Sequence, residues 1–252
     1  MQQPVVEQSC FAGWYFGIHG GGVIADLDQD ASVVESSLGA TGNGPRIARD
    51  LSRNDDDGDS AEGGLHAGYN WLFGKFLFGL EGDIQATSID QNTSARAAVF
   101  LPNNDLIPFS TEIKSKSSLD WFATLRPRFG FLFGNRVLLF VTGGGALGDP
   151  GLSESTRLHA FRNEYPSVDK ASSFNETRDQ RWGWTGGGGV EFCITPHVSF
   201  NVTYLFTNLE NTNLGSEISF TGTGAPRFFH AHSNTSSDND FHTVSGGVSF
   251  HF

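Results

Sequence analysis

Apolar and polar residues alternate one for one over eight separated stretches of this chain, a period of two that belongs to strands rather than helices. In Arg181–Leu209, Trp182, Trp184, Val190 and Phe192 share one face. Arg181, Thr185 and Glu191 share the other, with Gly183, Gly187 and Gly189. After a turn at Thr195-Pro196-His197, Val198, Phe200, Val202, Tyr204 and Phe206 resume the apolar face. Ser199, Asn201, Thr203 and Thr207 resume the polar one. This stretch predicts two strands. Six more are predicted at Gly13–Ala25, Gly63–Phe73, Phe76–Thr87, Ser118–Phe133, Val137–Leu147 and Phe241–Phe252. In Ser118–Phe133, Leu119, Trp121, Ala123, Leu125, Phe129 and Phe131 oppose Asp120, Thr124, Arg126 and Arg128. Pro127 removes a ladder donor there and predicts a bulge or local irregularity. Val137–Leu147 is apolar on both faces at its start, which leaves its phase open.

The connections alternate in length. Gly74-Lys75, Gly134-Asn135-Arg136 and Thr195-Pro196-His197 are tight turns. Between them lie four long polar stretches, about 26–61, 88–117, 148–179 and 208–239, which read as loops. Short turns at one end and long loops at the other mark transmembrane barrels, and strands of roughly 9–13 residues suffice to cross a bilayer at a tilt. Loops of about 30 residues are tolerated best where nothing packs on them.

The two faces decide the solvent. One carries Trp, Phe, Leu and Val; the other carries Glu81, Asp83, Asp120, Arg126, Arg128, Arg181 and Glu191 among many glycines. The interior of eight strands is just filled by side chains, so the bulky face belongs to lipid and the charged face to the lumen. Trp14, Trp71, Phe73, Phe76, Phe131, Trp182 and Phe252, near strand ends, suit aromatic girdles. The predicted fold is therefore all-β: an eight-stranded antiparallel up-and-down transmembrane β-barrel. It forms one domain over 1–252, with 1–12 as a periplasmic segment and both termini periplasmic.

Composition agrees. Glycine (32) and phenylalanine (23) are abundant and there is one Met. No apolar run approaches the ~18 residues of a spanning helix. The mean hydropathy of -0.25 looks soluble, but alternation hides a barrel's lipid face from such averages. A net charge of -12 excludes nucleic acid as a partner. MQQPVVEQSC has neither a basic start nor an apolar core, so the sequence reads either as a cytosolic protein or as a mature form whose signal peptide is removed, the barrel pattern favouring the second.

The lumen charges are the leading candidate site. Counted from the short turns, Glu81 and Arg128 lie at one depth and Asp83 and Arg126 one layer higher. Two cross-strand ion pairs are expected, extended by Glu191 and Arg181. An unpaired buried charge costs several kcal/mol, so the expected role is a plug, with a charge gate as the alternative. His19 and His66 face inward on adjacent strands and could ligate a metal or haem iron. Two histidines without a third ligand define no site, and neither metal nor cofactor is expected. Asn54–Asp59 is acidic, but Arg53 and Gly64 occupy the first and last ligand positions of a calcium-loop frame. It reads as a solvated loop bridged by divalent cations to lipopolysaccharide phosphates. Cys10 and Cys193 both fall near the short-turn rim; a disulfide is compatible with the periplasm, but the expectation is that they stay unpaired. No nucleophile–base pair stands out and the glycines at 186–189 start no helix, so no enzyme is expected.

With the strands placed, WYFGIHGGG, GGLHAGYNWLFGKFLFGLEGD and DWFATLRPRFGFLFGNRVLLFVTGGGALG resemble the OmpA-like "porin family" of small outer-membrane barrels and surface antigens of Gram-negative bacteria. The hairpin WTGGGGVEF…TP…YLFTNL and the end VSGGVSFHF are similar to that family's last three strands. The resemblance covers every strand and none of the loops. Thr203 stands where many members carry an acidic residue, so the family's lumen charges do not transfer whole. The resemblance implies an outer-membrane location, surrounding lipid and lipopolysaccharide, and antigenic loops open to a host or environmental ligand. It also implies that Phe252 is part of the signal read by the barrel-assembly machinery. The expected function is a structural and surface-interacting one, with a narrow porin-like pore, then haem or small-ligand capture by the loops, as alternatives.

Overall fold

A computed structural model describes residues 10–26, 29–38, 46–54, 58–99, 109–162, 165–221 and 228–252. Among these residues there is no helix. The strands are β1 (Gly13–Asp26), β2 (Gln29–Leu38), β3 (Arg46–Asn54), β4 (Gly58–Phe73), β5 (Phe76–Val99) and β6 (Phe109–Phe133). They continue with β7 (Val137–Arg162), β8 (Tyr165–Arg178), β9 (Arg181–Thr195), β10 (Val198–Thr221) and β11 (Phe228–His251). Eight form a ring in the order β1-β4-β5-β6-β7-β9-β10-β11, with every neighbour antiparallel. Pairing of β1 with β11, from Tyr15↔His251 to Asp26↔Asp240, closes it. This is the barrel expected from the alternation.

Its faces are inverted relative to a soluble protein. Trp14 is 66% and Phe252 75% exposed, while Arg128 is 2% exposed and Arg126 3%. A continuous apolar exterior of this extent has no place in water. The ten steps from Trp14 to Ile24 cover about 33 Å along β1. At the ~40° tilt of such barrels that is about 25 Å of depth, the height of a membrane-facing band.

The four polar stretches expected as loops are instead built largely of strand. Those at 88–117, 148–179 and 208–239 prolong β5, β6, β7, β10 and β11 and add β8. The one at 26–61 contains the β2–β3 hairpin, laid on the outer half of β11 from Phe228↔Leu38 to Ser237↔Gln29. The acidic segment at 55–57 lies outside the described residues. The ring thus changes members above the apolar band. β8 replaces β9 beside β7, and β2 and β3 replace β1 and β4 beside β11. Side chains join β8 to β10: Ser173 Oγ lies 2.6 Å from Ser216 Oγ, and Asn175 Nδ2 donates to Gly215 O at 3.1 Å. In this crown Thr93, Thr111, Ser115, Ser117 and Thr156 point inward and are buried, while Asp90, Lys114 and Lys116 point outward. Hydroxyls outnumber the few apolar residues inside, such as Ile113, Leu152 and Ile218, so the apolar alternation that announces a strand fades.

At the junction of band and crown, β6 shifts register against both neighbours between Leu119 and Phe122, and β10 shifts against β11 between Leu209 and Thr212. A bulge adds one residue and exchanges the two faces of everything beyond it. Thr124, Arg126 and Arg128 are buried in β6 below the bulge, and Leu119, Ser117 and Ser115 are buried above it. At Pro127 the irregularity is an interrupted ladder and not a bulge: β6 and β7 skip Arg126 and Pro127 and resume in step at Arg128↔Thr142. In β7 the open phase resolves with Leu138 and Phe140 inward and Leu139 and Val141 outward.

At the other end, Gly74 and Gly134 take positive φ (63° and 65°) in the tight turns, a conformation glycine adopts without strain. Phe11 is fully buried in this mouth, held where Asn70 Nδ2 donates to its carbonyl at 2.9 Å. That brings Cys10 to Cys193, and the two form a disulfide with Cα atoms 6.3 Å apart. The expectation that they stay unpaired is corrected: their sequence separation of 183 carries no geometric information, whereas the packing of Phe11 fixes the approach.

The glycine run of β9 curls tightly against β10. A Cβ on Gly187 would stand 2.0 Å from Tyr204 O, while one on Gly186 would meet nothing nearer than 3.8 Å. Strand glycines mark such close backbone approaches. Gly187→Val is expected to abolish the folded band on an unboiled SDS gel, and Gly186→Ala to keep it; equal yields of folded protein would contradict this account.

Candidate functional site

The lumen is packed in three layers. Nearest the short turns, Phe11, Leu77, Leu132, Leu138 and Phe140 form an apolar layer with Cys10. At the crown side, Val23, Ile89, Leu119, Phe122, Leu209 and Phe241 form a second. Phe122 and Phe241 meet edge to face at 4.9 Å between ring centres. The bulge in β6 helps build this upper layer, because it turns both Leu119 and Phe122 inward. Aromatic and aliphatic side chains thus fill the barrel as well as its outside.

Between them lies the charged layer. Arg126 Nη2 lies 2.8 Å from Glu81 Oε1 and 2.6 Å from Asp83 Oδ2. Arg128 Nη1 donates to Glu81 Oε2 at 3.1 Å and Nη2 to Glu191 Oε2 at 2.7 Å. Glu81 therefore bridges both guanidiniums, and Arg128 carries the network across to β9. The register pairs Glu81 with Arg126 and Asp83 with Thr124, one step from the expected depths. Long arginine side chains reach along the barrel and span that offset. Thr124 Oγ1 donates to Asp83 Oδ2 at 2.8 Å and accepts from Arg126 Nη1 at 2.7 Å. Gly79 leaves the room: a Cβ there would stand 2.9 Å from Arg128 Cγ. Charges withdrawn this far from water are tolerable only when paired, and each of these carboxylates meets a guanidinium, although Nε of Arg126 and of Arg128 finds no partner among the described residues.

Two residues assigned to this network by their phase are elsewhere. Asp120 lies in the β6 bulge, faces outward, and binds Arg178 Nη1 at 2.5 Å with 58% of its side chain exposed. The bulge is the cause, since Asp120 and Trp121 both face away from the lumen between buried Leu119 and Phe122. Arg181 opens β9 opposite Gly148, above the charged layer, and its nearest carboxylate is Asp179 at 3.8 Å.

The structure also recruits groups that the charge pattern overlooks. Tyr15 OH donates to Glu81 Oε2 at 2.6 Å and accepts from Arg128 Nη1 at 3.0 Å. Ser199 Oγ donates to Glu191 Oε1 at 2.6 Å, and His251 Nε2 lies 3.1 Å from the same oxygen. All three fall on the inward phase of their strands, so their facing was available; their contacts were not. A second polar knot sits in the crown, where buried Glu154 accepts from Ser233, from Thr235 Oγ1 at 2.7 Å and from Thr156 Oγ1 at 3.0 Å.

His19 and His66 meet inside the barrel with Nδ1 atoms 3.2 Å apart. Glu62 Oε2 lies 3.5 Å from His19 Nε2, and Ser249 Oγ 2.8 Å from His66 Nε2. No group of three His, Cys, Asp or Glu side chains among the described residues is arranged to hold a metal ion. A cavity of about 20 Å³ lies beside the two histidines and the two arginines, room for roughly one water molecule.

A closed antiparallel ring with a lipid-facing apolar band and a packed polar interior defines a transmembrane β-barrel of the outer-membrane class. Residues 4–252 match the family model of the outer membrane protein beta-barrel domain, and the chain belongs to that family. It is an outer-membrane protein. It is 30% identical over 154 residues to the 31 kDa outer-membrane immunogenic protein of Brucella melitensis, covering 60% of this chain and 55% of that one. It is 23% identical over 149 residues to the 22 kDa outer membrane protein of Rhizobium leguminosarum bv. viciae, covering 59% of this chain and 53% of that one. The chain thus spans about half the length of these relatives. Among solved structures, OprG from Pseudomonas aeruginosa aligns over 97% of this chain and 99% of its own, with 16% identity and a TM-score of 0.36.

Arg128 touches both Glu81 and Glu191, so its removal strands two buried carboxylates. Arg128→Met is expected to lower unfolding stability in detergent by about 3–5 kcal/mol. Arg178→Ala, which breaks a half-exposed surface pair, is expected to cost under about 1 kcal/mol. Denaturant midpoints that move equally for both would rule out a special role for the lumen network.

Proposed function

We propose that this protein is a non-conducting outer-membrane barrel with a structural role in the envelope. The carrying observation is the layered interior: two apolar layers bracket a charged layer in which two guanidiniums hold three carboxylates, and the cavity beside it has room for about one water. The charged layer acts as a plug in which each carboxylate faces a guanidinium. The crown is the working surface. It presents the outer parts of β5, β6, β7, β8, β10 and β11 and the β2–β3 hairpin outside the cell, as antigen or adhesin-like contact surface. The naming of the Brucella relative as immunogenic supports this exposure. Lipopolysaccharide surrounds the crown side of the band, the short turns face the periplasm, and the C-terminal strand with Phe252 is the element read by the assembly machinery. A host or environmental ligand would bind at the crown. We assign no reaction to it.

The competing reading is a narrow pore, and planar-bilayer recording separates the two. Wild-type protein is expected to give no conductance steps. Phe122→Ala and Arg128→Ala are each expected to stay silent, because either change leaves the other layers in place. Reproducible steps from the wild type would overturn the closed barrel in favour of the pore. Orientation has its own test: a membrane-impermeant amine reagent applied to intact cells should label Lys114 and Lys116, and should reach Lys75 only after the envelope is broken. Labelling of Lys75 in intact cells would invert the assignment of the two ends.

A further inference from the structure

The lipid-facing surface is interrupted by an apolar groove of about 440 Å³ across β4 and β5, bordered by Trp14, Tyr69, Trp71, Leu80 and Leu125. Its floor is the register pair Ala67↔Gly82. Along β5 the flanking outward residues are Leu80 and Ile84, and Leu125 stands opposite Gly82 on β6. Between Phe16 and Leu125, large side chains are therefore missing at two adjacent positions of one layer. The barrel does not require the gap. A Cβ on Gly82 would lie 3.7 Å from Thr124 O and 3.8 Å from Leu125 Cδ1, ordinary contact distances, unlike the overlaps at the inward-facing Gly79 and Gly187.

Charge supplies the second observation. The chain as a whole carries -12, yet the short turns Gly74-Lys75, Gly134–136 and Pro196-His197 contain no acidic residue. They carry Lys75 and Arg136, both exposed. The two turns adjoin, because Leu132 N, two residues before Gly134, donates to Lys75 O at 2.8 Å. The exposed rings of Phe73, Phe76 and Phe133 lie immediately on the membrane side of these cations. From Phe76 to Gly82 the strand runs about 20 Å, or about 15 Å of depth at the usual tilt, half the thickness of the hydrocarbon core. A lipid whose headgroup sits at Lys75 and Arg136 would thus bring the end of an acyl chain to the floor of the groove.

We propose that this face is a binding site for one anionic phospholipid of the short-turn leaflet. Its phosphate is held by Lys75 and Arg136, and one acyl chain lies in the Ala67–Gly82 groove. The site depends on the membrane placement of the barrel and not on whether the lumen conducts, so a conducting wild type would leave it standing.

Native mass spectrometry of the folded protein, equilibrated with equal amounts of phosphatidylglycerol and phosphatidylcholine of identical chains, tests it. The wild type should retain one phosphatidylglycerol about fivefold or more in preference, the scale expected from one or two cations at a lipid surface. Lys75→Ala/Arg136→Ala should keep a lipid adduct but lose the headgroup preference. Gly82→Leu should lose the adduct with either lipid, and Ala67→Val provides the same test if Gly82→Leu fails to fold. Equal retention of both lipids by the wild type, or full retention by a folded groove-filling variant, would overturn the site. So would a wild-type dimer that the groove-filling variants abolish, which would give the groove to a second copy.

Discussion

Everything in this molecule depends on the closure of β1 onto β11. In hydrocarbon an unpaired backbone N–H or C=O costs several kcal/mol, so a sheet can cross the membrane only if it has no edge. The unbroken register from Tyr15↔His251 to Asp26↔Asp240 meets that demand over the whole apolar band. Closure of so few strands in turn fixes the interior. Eight strands leave a space that side chains fill, and the chain fills it with a paired charged layer held between two apolar ones. The glycines of β9 are a further consequence, since a ring this narrow brings neighbouring backbones too close for a Cβ at positions such as Gly187.

Above the band that demand relaxes. Water can satisfy free backbone groups, and the ring is allowed to exchange members: among the described residues β8 meets β10 through side chains and forms no backbone ladder with it. The division between a sealed transmembrane wall and a more loosely joined crown therefore follows from the change of solvent along the same strands. It fits a protein whose inner part is architecture and whose outer part is contact surface.

Much of the wall is legible in the sequence because lipid enforces alternation. Trp14, Phe16 and Ile18, or Phe76, Phe78 and Leu80, declare their outward face, and Glu81, Asp83, Arg126, Arg128 and Glu191 their inward one. The crown is not legible in that way. Ser115 and Ser117 point inward while Lys114 and Lys116 point outward, and an interior mostly of hydroxyls, with only an occasional Ile113, gives little hydropathy contrast with a wet exterior. The bulge is harder still. Leu119-Asp120-Trp121-Phe122 alternates well enough to pass for a regular strand, so Asp120 is drawn into the lumen and Leu119 out of it until the register is seen. The pairing of Cys10 with Cys193 depends on where Phe11 packs, which is a tertiary fact.

The two bulges, in β6 and β10, sit at the same junction of band and crown, and they bear on how such a protein can change its length. A strand whose phase is fixed from end to end can gain or lose residues only in pairs, because a single insertion would send lumen residues into lipid. Where a bulge already takes up one odd residue, the segment beyond it answers to a different reference. Single-residue insertions and deletions in these outer hairpins can then be absorbed at the junction, leaving the wall below in register. The barrel carries a built-in expansion joint, and the part of the chain that faces the outside world is the part free to vary one residue at a time.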